Sequence, residues 1–256
     1  RSSASTGERA HALEMLPQLP ERSLIVADAG FVGYDFWQAL QEAGHDFVIR
    51  VGANVTLLKR LGYYRECDRR VYLWPDRNAQ RRQPPLTLRL TVAHDGKRPV
   101  YLVTSLLSSR ELTDRRLLDL YRARWGVEVF YRSFKRSFGR HKLRSASPEN
   151  AKLELDWSLA ALWAACLYAK RQQQDAGEDV KRTSVAGVLR ILRRAARHDK
   201  PDLIELLAHA LVDQYVRADK TSRNYPRKKT DPPGADPPSI LKATKAQLRL
   251  AREIKG

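Results

Sequence analysis

A chain of 256 residues, 43% of them hydrophobic, is long and apolar enough to build a sizeable core, which excludes wholesale disorder. Its 47 Lys and Arg against 29 Asp and Glu leave a formal net charge of +18. An enzyme of small metabolites rarely needs that much charge, whereas a protein lying along a polyanion gains from it, because each cation near a phosphate releases condensed counterions. An Arg-rich surface that is merely solvated is the competing reading of the charge.

Cys67 and Cys166 have no CxxC or Cys/His spacing, which speaks against a zinc site and suits a reducing compartment, hence the cytoplasm. The chain opens on Arg1 and its single methionine is Met15, so it reads as a fragment.

In chain order, residues 8–16 predict a short helix. Residues 24–27 form a hydrophobic strand that stops at Asp28-Ala29-Gly30-Phe31, and helical periodicity resumes over 34–40. A second strand follows at 47–51. Strand, acid, turn, helix and strand in that order belong to a layered α/β core.

From 53 to 107 the pattern changes. Residues 71–74, 86–92 and 100–104 are short, β-branched or alternating, and Asp95-Gly96 between the last two is a hairpin signal. Helices are predicted over 114–138, 149–173, 184–197 and 202–216. The apolar run at 157–169 is too short to span a bilayer and reads as a buried helix, so no membrane is expected. Residues 217–229 are basic, 231–238 are Pro-rich and irregular, and 239–255 can form a last amphipathic helix.

The informative segment runs from Tyr121 to Lys135. At about 100° per residue, Tyr121, Arg124, Glu128 and Lys135 fall within an arc of roughly 60°. Leu120, Val127, Phe130, Phe134 and Phe138 form the core stripe on another side of the same helix. This arrangement can hold a carboxylate at the mouth of a core with cations above and below it. Cutting a phosphodiester calls for an activated nucleophile and a stabilised leaving oxygen, which two divalent metals held by hard carboxylate oxygens can provide. Neighbouring cations would grip phosphates, Arg bidentately and Lys as a point charge. Taken singly these residues have ordinary explanations: Arg124 and Glu128 as an i,i+4 surface pair, Tyr121 as a core-edge aromatic, Asp28 as a turn residue. The joint spacing Y-x2-R-x3-E-x6-K, preceded by an acid closing a buried strand, is what singles them out.

On these residues the chain resembles the DDE transposases of the insertion-sequence-4 family. Tyr121, Arg124, Glu128 and Lys135 match that family's YREK signature, and Val26-Ala27-Asp28-Ala29-Gly30-Phe31 matches the motif around its second catalytic aspartate. The likeness covers roughly residues 7–172. It implies an α/β fold, a partial RNase H-like core with a β-rich insertion and a helical C-terminal region. The segments are then 1–52, core with the second Asp; 53–107, insertion and returning strand; 108–175, core helices with the Glu; 176–216, C-terminal helices; and 217–256, a basic Pro-rich tail.

The resemblance further implies Mg2+ (or Mn2+) held by the catalytic pair Asp28 and Glu128, and cleavage and strand transfer at transposon ends. Tyr121, Arg124 and Lys135 would be on the DNA, joined by Arg132 and Arg136 from the basic stretch that follows. The implied partners are double-stranded DNA, at transposon ends and target, and a second copy in a synaptic homodimer; the setting is cytoplasmic and nucleoid-associated.

One departure matters. The family's first aspartate lies on an earlier strand, yet no Asp occurs from Arg1 to Ala27; the acids there are Glu8, Glu14 and Glu21. The chain alone is therefore expected not to cleave DNA, and a non-catalytic DNA-binding remnant is the alternative reading; a basic structural or RNA-binding protein would leave the spacing a coincidence. Trp125 and Trp163 are expected in the core. Trp74 and Tyr101 are candidates for stacking on a base, with packing as the default.

Overall fold

The computed structural model describes residues 7–63, 65–67, 69–74, 82–94, 99–137, 139, 142–197, 202–212 and 236–255. The Asp95-Gly96 turn, Phe138 and most of the 217–238 stretch lie outside them. The chain divides into two compact units, residues 1–124 with 226–256, and residues 125–225.

The first unit is an α/β sandwich on a seven-stranded mixed sheet. In chain order its strands are β1 (Leu24–Ala27), β2 (Asp46–Val51), β3 (Thr56–Lys59), β4 (Arg70–Leu73), β5 (Leu86–His94), β6 (Pro99–Thr104) and β7 (Ser239–Lys242). Across the sheet they run β1-β2-β6-β5-β4-β3-β7. β1 pairs with β2 in parallel and β7 with β3 in parallel, while every pairing between is antiparallel. His94 pairs with Pro99 across the expected hairpin.

Successive strand residues point to opposite faces, so the alternation in sequence sorts the core into two layers. On one face Phe47, Ile49, Val51, Val71, Leu73, Leu88 and Val103 pack with Trp37 and Leu40 of α2 (Tyr34–Glu42), and with Ala12 and Leu13 of α1 (Glu8–Met15). On the other face Leu24, Val26, Val48 and Leu102 meet Leu117, Leu120 and Tyr121 of α3 (Asp114–Ala123). Further along, Leu58, Tyr72 and Trp74 meet Leu248 and Ala251 of the terminal helix Lys245–Lys255.

α3 crosses the sheet from β5 to β1, contacting β5, β2 and β1. Ten helical residues rise about 15 Å, which matches three strand spacings of about 4.8 Å. Its start is pinned. The Thr113 side chain caps the first turn, Arg89, which is buried, donates Nη2 to the Leu112 carbonyl at 2.6 Å, and Asp114 is paired with Arg69 and accepts from Thr91 Oγ1 at 3.1 Å. Burial lowers the Arg89 pKa, with the nearby Asp114 opposing that shift.

The second unit is helical: α4 (Trp125–Arg132), a wide π turn at Ser133–Ser137, α5 (Pro148–Asp175), α6 (Val185–Ala195) and α7 (Leu203–Ala208); the terminal helix is therefore α8. Phe134, Leu162 and Leu189 form one core cluster, and Ala169, Val188, Leu207 and Ala210 another. Between α5 and α7, the fully buried Gln173 donates to the carbonyls of Leu207 and Ala210 and accepts from Thr183 Oγ1 at 2.7 Å. The amide thereby has its own polar atoms satisfied and adds a second donor to carbonyls that already accept from the Ala210 and Ser184 amides.

Several sequence expectations need correction. The helix expected over 114–138 is divided at Arg124 and widens into a π turn from Ser133, so one 100° wheel does not carry through to Lys135. Val127, placed on the core stripe, is 55% exposed, and only Phe130 and Phe134 of α4 and the π turn enter the core. Trp125 and Trp163 are 51% and 66% exposed rather than buried. The helix at 157–169 exists but is not enclosed: α5 is apolar on two sides, Leu155, Leu159, Leu162 and Ala169 facing the core and Leu153, Trp157, Leu167 and Tyr168 facing out.

Candidate active site

Asp28 owes its position to the strand before it. Leu24 and Val26 point to the α3 face, and Asp28 keeps an extended backbone (φ −89°, ψ −175°), so its side chain continues on that same face. Oδ1 accepts from the Gly30 amide at 2.9 Å, and the Phe31 amide donates to the Asp28 carbonyl at 3.2 Å. This is the turn chemistry the sequence offers as the ordinary explanation of Asp28, and it is present. It leaves Oδ2 for another partner.

That partner is Arg124. Its Nη1 stands 3.9 Å from Asp28 Oδ2, with the Arg124 side chain 20% exposed and that of Asp28 48% exposed. The guanidinium carbon lies 5.6 Å from the centroid of the Tyr121 ring, one turn back on α3. A cation over an aromatic face is attracted to it and held in orientation. Tyr121 and Arg124 thus act as a pair: Leu117, Leu120 and the half-buried Tyr121 seat α3 on the sheet, and Arg124 caps it with its amide shared between the Leu120 and Tyr121 carbonyls, both at 3.2 Å.

A residue that the sequence does not single out supports this corner. Asn54, after β2, donates Nδ2 to the Ala29 carbonyl at 3.0 Å and accepts from the Gly52 amide at 3.1 Å. It ties the loop after β2 to the turn that orients Asp28. Its only sequence signal is a turn-forming Gly-Ala-Asn, which does not reveal a contact 25 residues away.

Glu128, Arg132, Lys135 and Arg136 stand on the second unit. Glu128 is half-buried in the first turn of α4, while Arg132, Lys135 and Arg136 are exposed. Lys135 Nζ lies 5.9 Å from the centroid of the Tyr131 ring. Phe134 points into the core, as expected for the apolar member of this stretch. Lys142 and Arg144 are exposed; Arg140 and His141 lie outside the described residues. Of the two stacking candidates, Trp74 is 2% exposed, with Nε1 donating to the Gln83 carbonyl at 2.9 Å, and Tyr101 packs on the α2 side of the sheet. Trp74 is enclosed by packing, and Tyr101 is partly buried against the core.

Among the described residues no group of three or more His, Cys, Asp or Glu side chains could hold a metal ion, and no helix is long and apolar enough to cross a membrane. What the first unit offers chemically is one half-exposed carboxylate, oriented by its own turn, beside a guanidinium that is itself oriented by an aromatic ring.

Residues 1–164 match the family model described as the transposase DDE domain. The chain is also similar to the transposase InsG for insertion sequence element IS4 of Escherichia coli (strain K12), at 30% identity over 155 residues, 56% of this chain and 34% of that protein. The chain thus spans about a third of the length of the curated relative it matches.

Proposed function

The chain belongs to the transposase DDE domain family, and on that premise we propose that it supplies part of the catalytic core of a DNA transposase that cuts and transfers strands at transposon ends. The observation that carries this reading is the seat of Asp28: an acid at the end of a core strand, its Oδ2 facing a guanidinium aligned by Tyr121. The parallel β1–β2 pair, continued by antiparallel β6 and covered on one face by α3, is consistent with an RNase H-like core.

In this reading Asp28 and Glu128 are the ligands this chain contributes to a divalent cation, Mg2+ or Mn2+. Their carboxylate oxygens fit such an ion in kind. Asp28 fits also in exposure, since half its side chain is open to solvent. A bound ion would neutralise charge developing on the phosphate and lower the pKa of a water nucleophile. The chain's own residues do the rest. Asp28 is oriented through Oδ1 by the Gly30 amide, which leaves Oδ2 facing Arg124 as the oxygen an ion would share with that guanidinium. Arg124 offers a planar fork to a phosphate, with Tyr121 fixing the plane of that fork. Lys135, Arg132 and Arg136 add point and fork cations for neighbouring phosphates.

The chain's own acids suggest that it binds DNA without cutting it. Before Asp28, Glu8 and Glu14 lie on α1 and Glu21 in the following loop, none of them on a strand. Two ligands do not position two metals. We expect the working protein to be a dimer on double-stranded DNA at the nucleoid.

The test replaces Mg2+ with Fe2+ and ascorbate, which cleave the backbone close to a bound ion. Cuts near both residue 28 and residue 128, abolished by D28N and by E128Q, are expected. Cuts at one position only, or cuts insensitive to both substitutions, would refute the shared-metal reading. In a protein that also carries the remaining acid, Glu128→Ala should abolish strand cleavage and leave end binding largely intact.

A further inference from the structure

Among the described residues of the second unit, a helical face bearing four arginines lies outside the segment that matches the family. On α6, Arg190, Arg193 and Arg194, with Arg197 just past the helix end, recur at i, i+3, i+4 and i+7 and are all exposed. At about 100° per residue they share an arc of roughly 100°, opposite Val188, Leu189 and Leu192, which face the core. From first to last they rise about 10 Å along the axis.

These arginines differ from exposed cations elsewhere on the chain. On α3, α5 and α8, Arg122, Lys152, Arg171 and Arg249 have acids three or four residues away: Asp119, Asp156, Asp175 and Glu253. α6 contains no acid. On the elements packed against it, Asp175 pairs with Arg171, Glu178 lies against His209, and Asp202 caps α7 through the Glu205 amide. Among the described residues none of the four arginines has an ion-pair partner. Like charges at i,i+3 and i,i+4 repel and weaken a helix. The α6 C-terminus favours Arg193 and Arg194 through its partial negative charge, but that does not account for Arg190 more than a turn earlier.

We propose that this arginine ridge is a second DNA-contact surface, taking the phosphate backbone of duplex DNA without reading its sequence. The proposal rests on the DNA-acting reading above and adds a place to it. A duplex presents a negative charge about every 3.4 Å per strand along its axis, so roughly 10 Å of ridge spans about three phosphates of one backbone, enough to engage most of its arginines. The fork of an arginine suits those oxygens.

The experiment measures binding of the full chain to a duplex of arbitrary sequence against salt, for wild type, for R190Q/R193Q/R194Q/R197Q, and for K245Q/R249Q/R252Q/K255Q. The last removes equal charge from α8 and leaves the ridge intact. Expected for the ridge variant is at least a roughly tenfold loss of affinity near 0.1 M salt, with the slope of log K on log salt shrinking by about three to four. The α8 variant should lose clearly less, and the fourfold Arg→Lys ridge variant should keep most of the slope. A ridge variant binding within twofold of wild type, or equal losses in both Gln variants, overturns the proposal while leaving the DNA-acting reading standing. Wild type that binds no duplex at low salt overturns both. If polyglutamate binds wild type as tightly as DNA does and depends equally on the ridge, the surface belongs to an acidic polypeptide and the proposal falls.

Discussion

Arg124 Nη1 and Asp28 Oδ2 lie 3.9 Å apart, at the end of the helix that crosses the sheet and the end of the strand it reaches. The guanidinium competes with any cation that Asp28 would bind. Two unit charges at about 4 Å interact by about 1 kcal/mol in water, roughly a fivefold effect. Arg124→Ala should therefore tighten Mn2+ binding two- to fivefold, Asp28→Asn should remove it, and added salt should shrink the difference. Mn2+ titration followed by electron paramagnetic resonance reads all three. Unchanged affinity in Arg124→Ala would show that the pair does not govern the carboxylate.

Tyr34 gives the first unit an alkaline limit. Its ring is 4% exposed, its hydroxyl donates to the Pro84 carbonyl, and burial, with smaller contributions from Asp35 and Glu42, raises its pKa from 10.0 to about 12. The unfolded chain loses this proton first as pH rises. Tyr34 thus contributes stability fully present below pH 10 and lost progressively between pH 10 and about 12. A difference of that size between the folded and unfolded chain is worth at most roughly 3 kcal/mol. Denaturant midpoints should fall over that window, and Tyr34→Phe should flatten the fall. An equally steep fall in Tyr34→Phe would assign the titration elsewhere.

Gln173 tests the second unit. Replacing it by Leu keeps the volume but strips the carbonyls of Leu207 and Ala210 and the Thr183 hydroxyl of a buried partner. The expected cost is about 2–3 kcal/mol, read from urea unfolding. A change below about 0.5 kcal/mol would mean that the site relaxes onto water.

The five tryptophans should report two environments. Trp37 and Trp74 are buried, whereas Trp125, Trp157 and Trp163 are 51%, 70% and 66% exposed. Acrylamide should quench most of the emission readily and leave a resistant, blue-shifted remainder, which disappears in W37F/W74F. Uniform resistance to quenching would show that something covers the outer face of α5.

Much of the first unit can be read from local pattern. β1, β2, β4, β5 and β6 lie where apolar alternation marks them, because each is paired on a buried sheet. β3 and β7 carry no such mark. Each has four residues, and all four side chains of β7 are exposed, so its place is set by the backbone ladder to β3 rather than by hydrophobicity. Asp28 and Arg124 are legible as residue types, but their meeting is not. It depends on α3 starting over β5 and ending over β1, a length match that no local window contains. The exposed tryptophans mislead because a helix apolar on two sides reads as buried, and nothing in composition says which side has a neighbour.

The parallel ladder between β3 and β7 joins residues separated by some 180 positions, so the sheet cannot be completed until all the residues between them have been synthesised. Until then Leu58, Tyr72 and Trp74 lack Leu248 and Ala251, and the outer side of β3 is a raw edge. Closing so long a loop is slow, and a waiting edge invites strands from neighbouring nascent chains. Yield on expression should accordingly depend on how fast β7 and α8 follow β3.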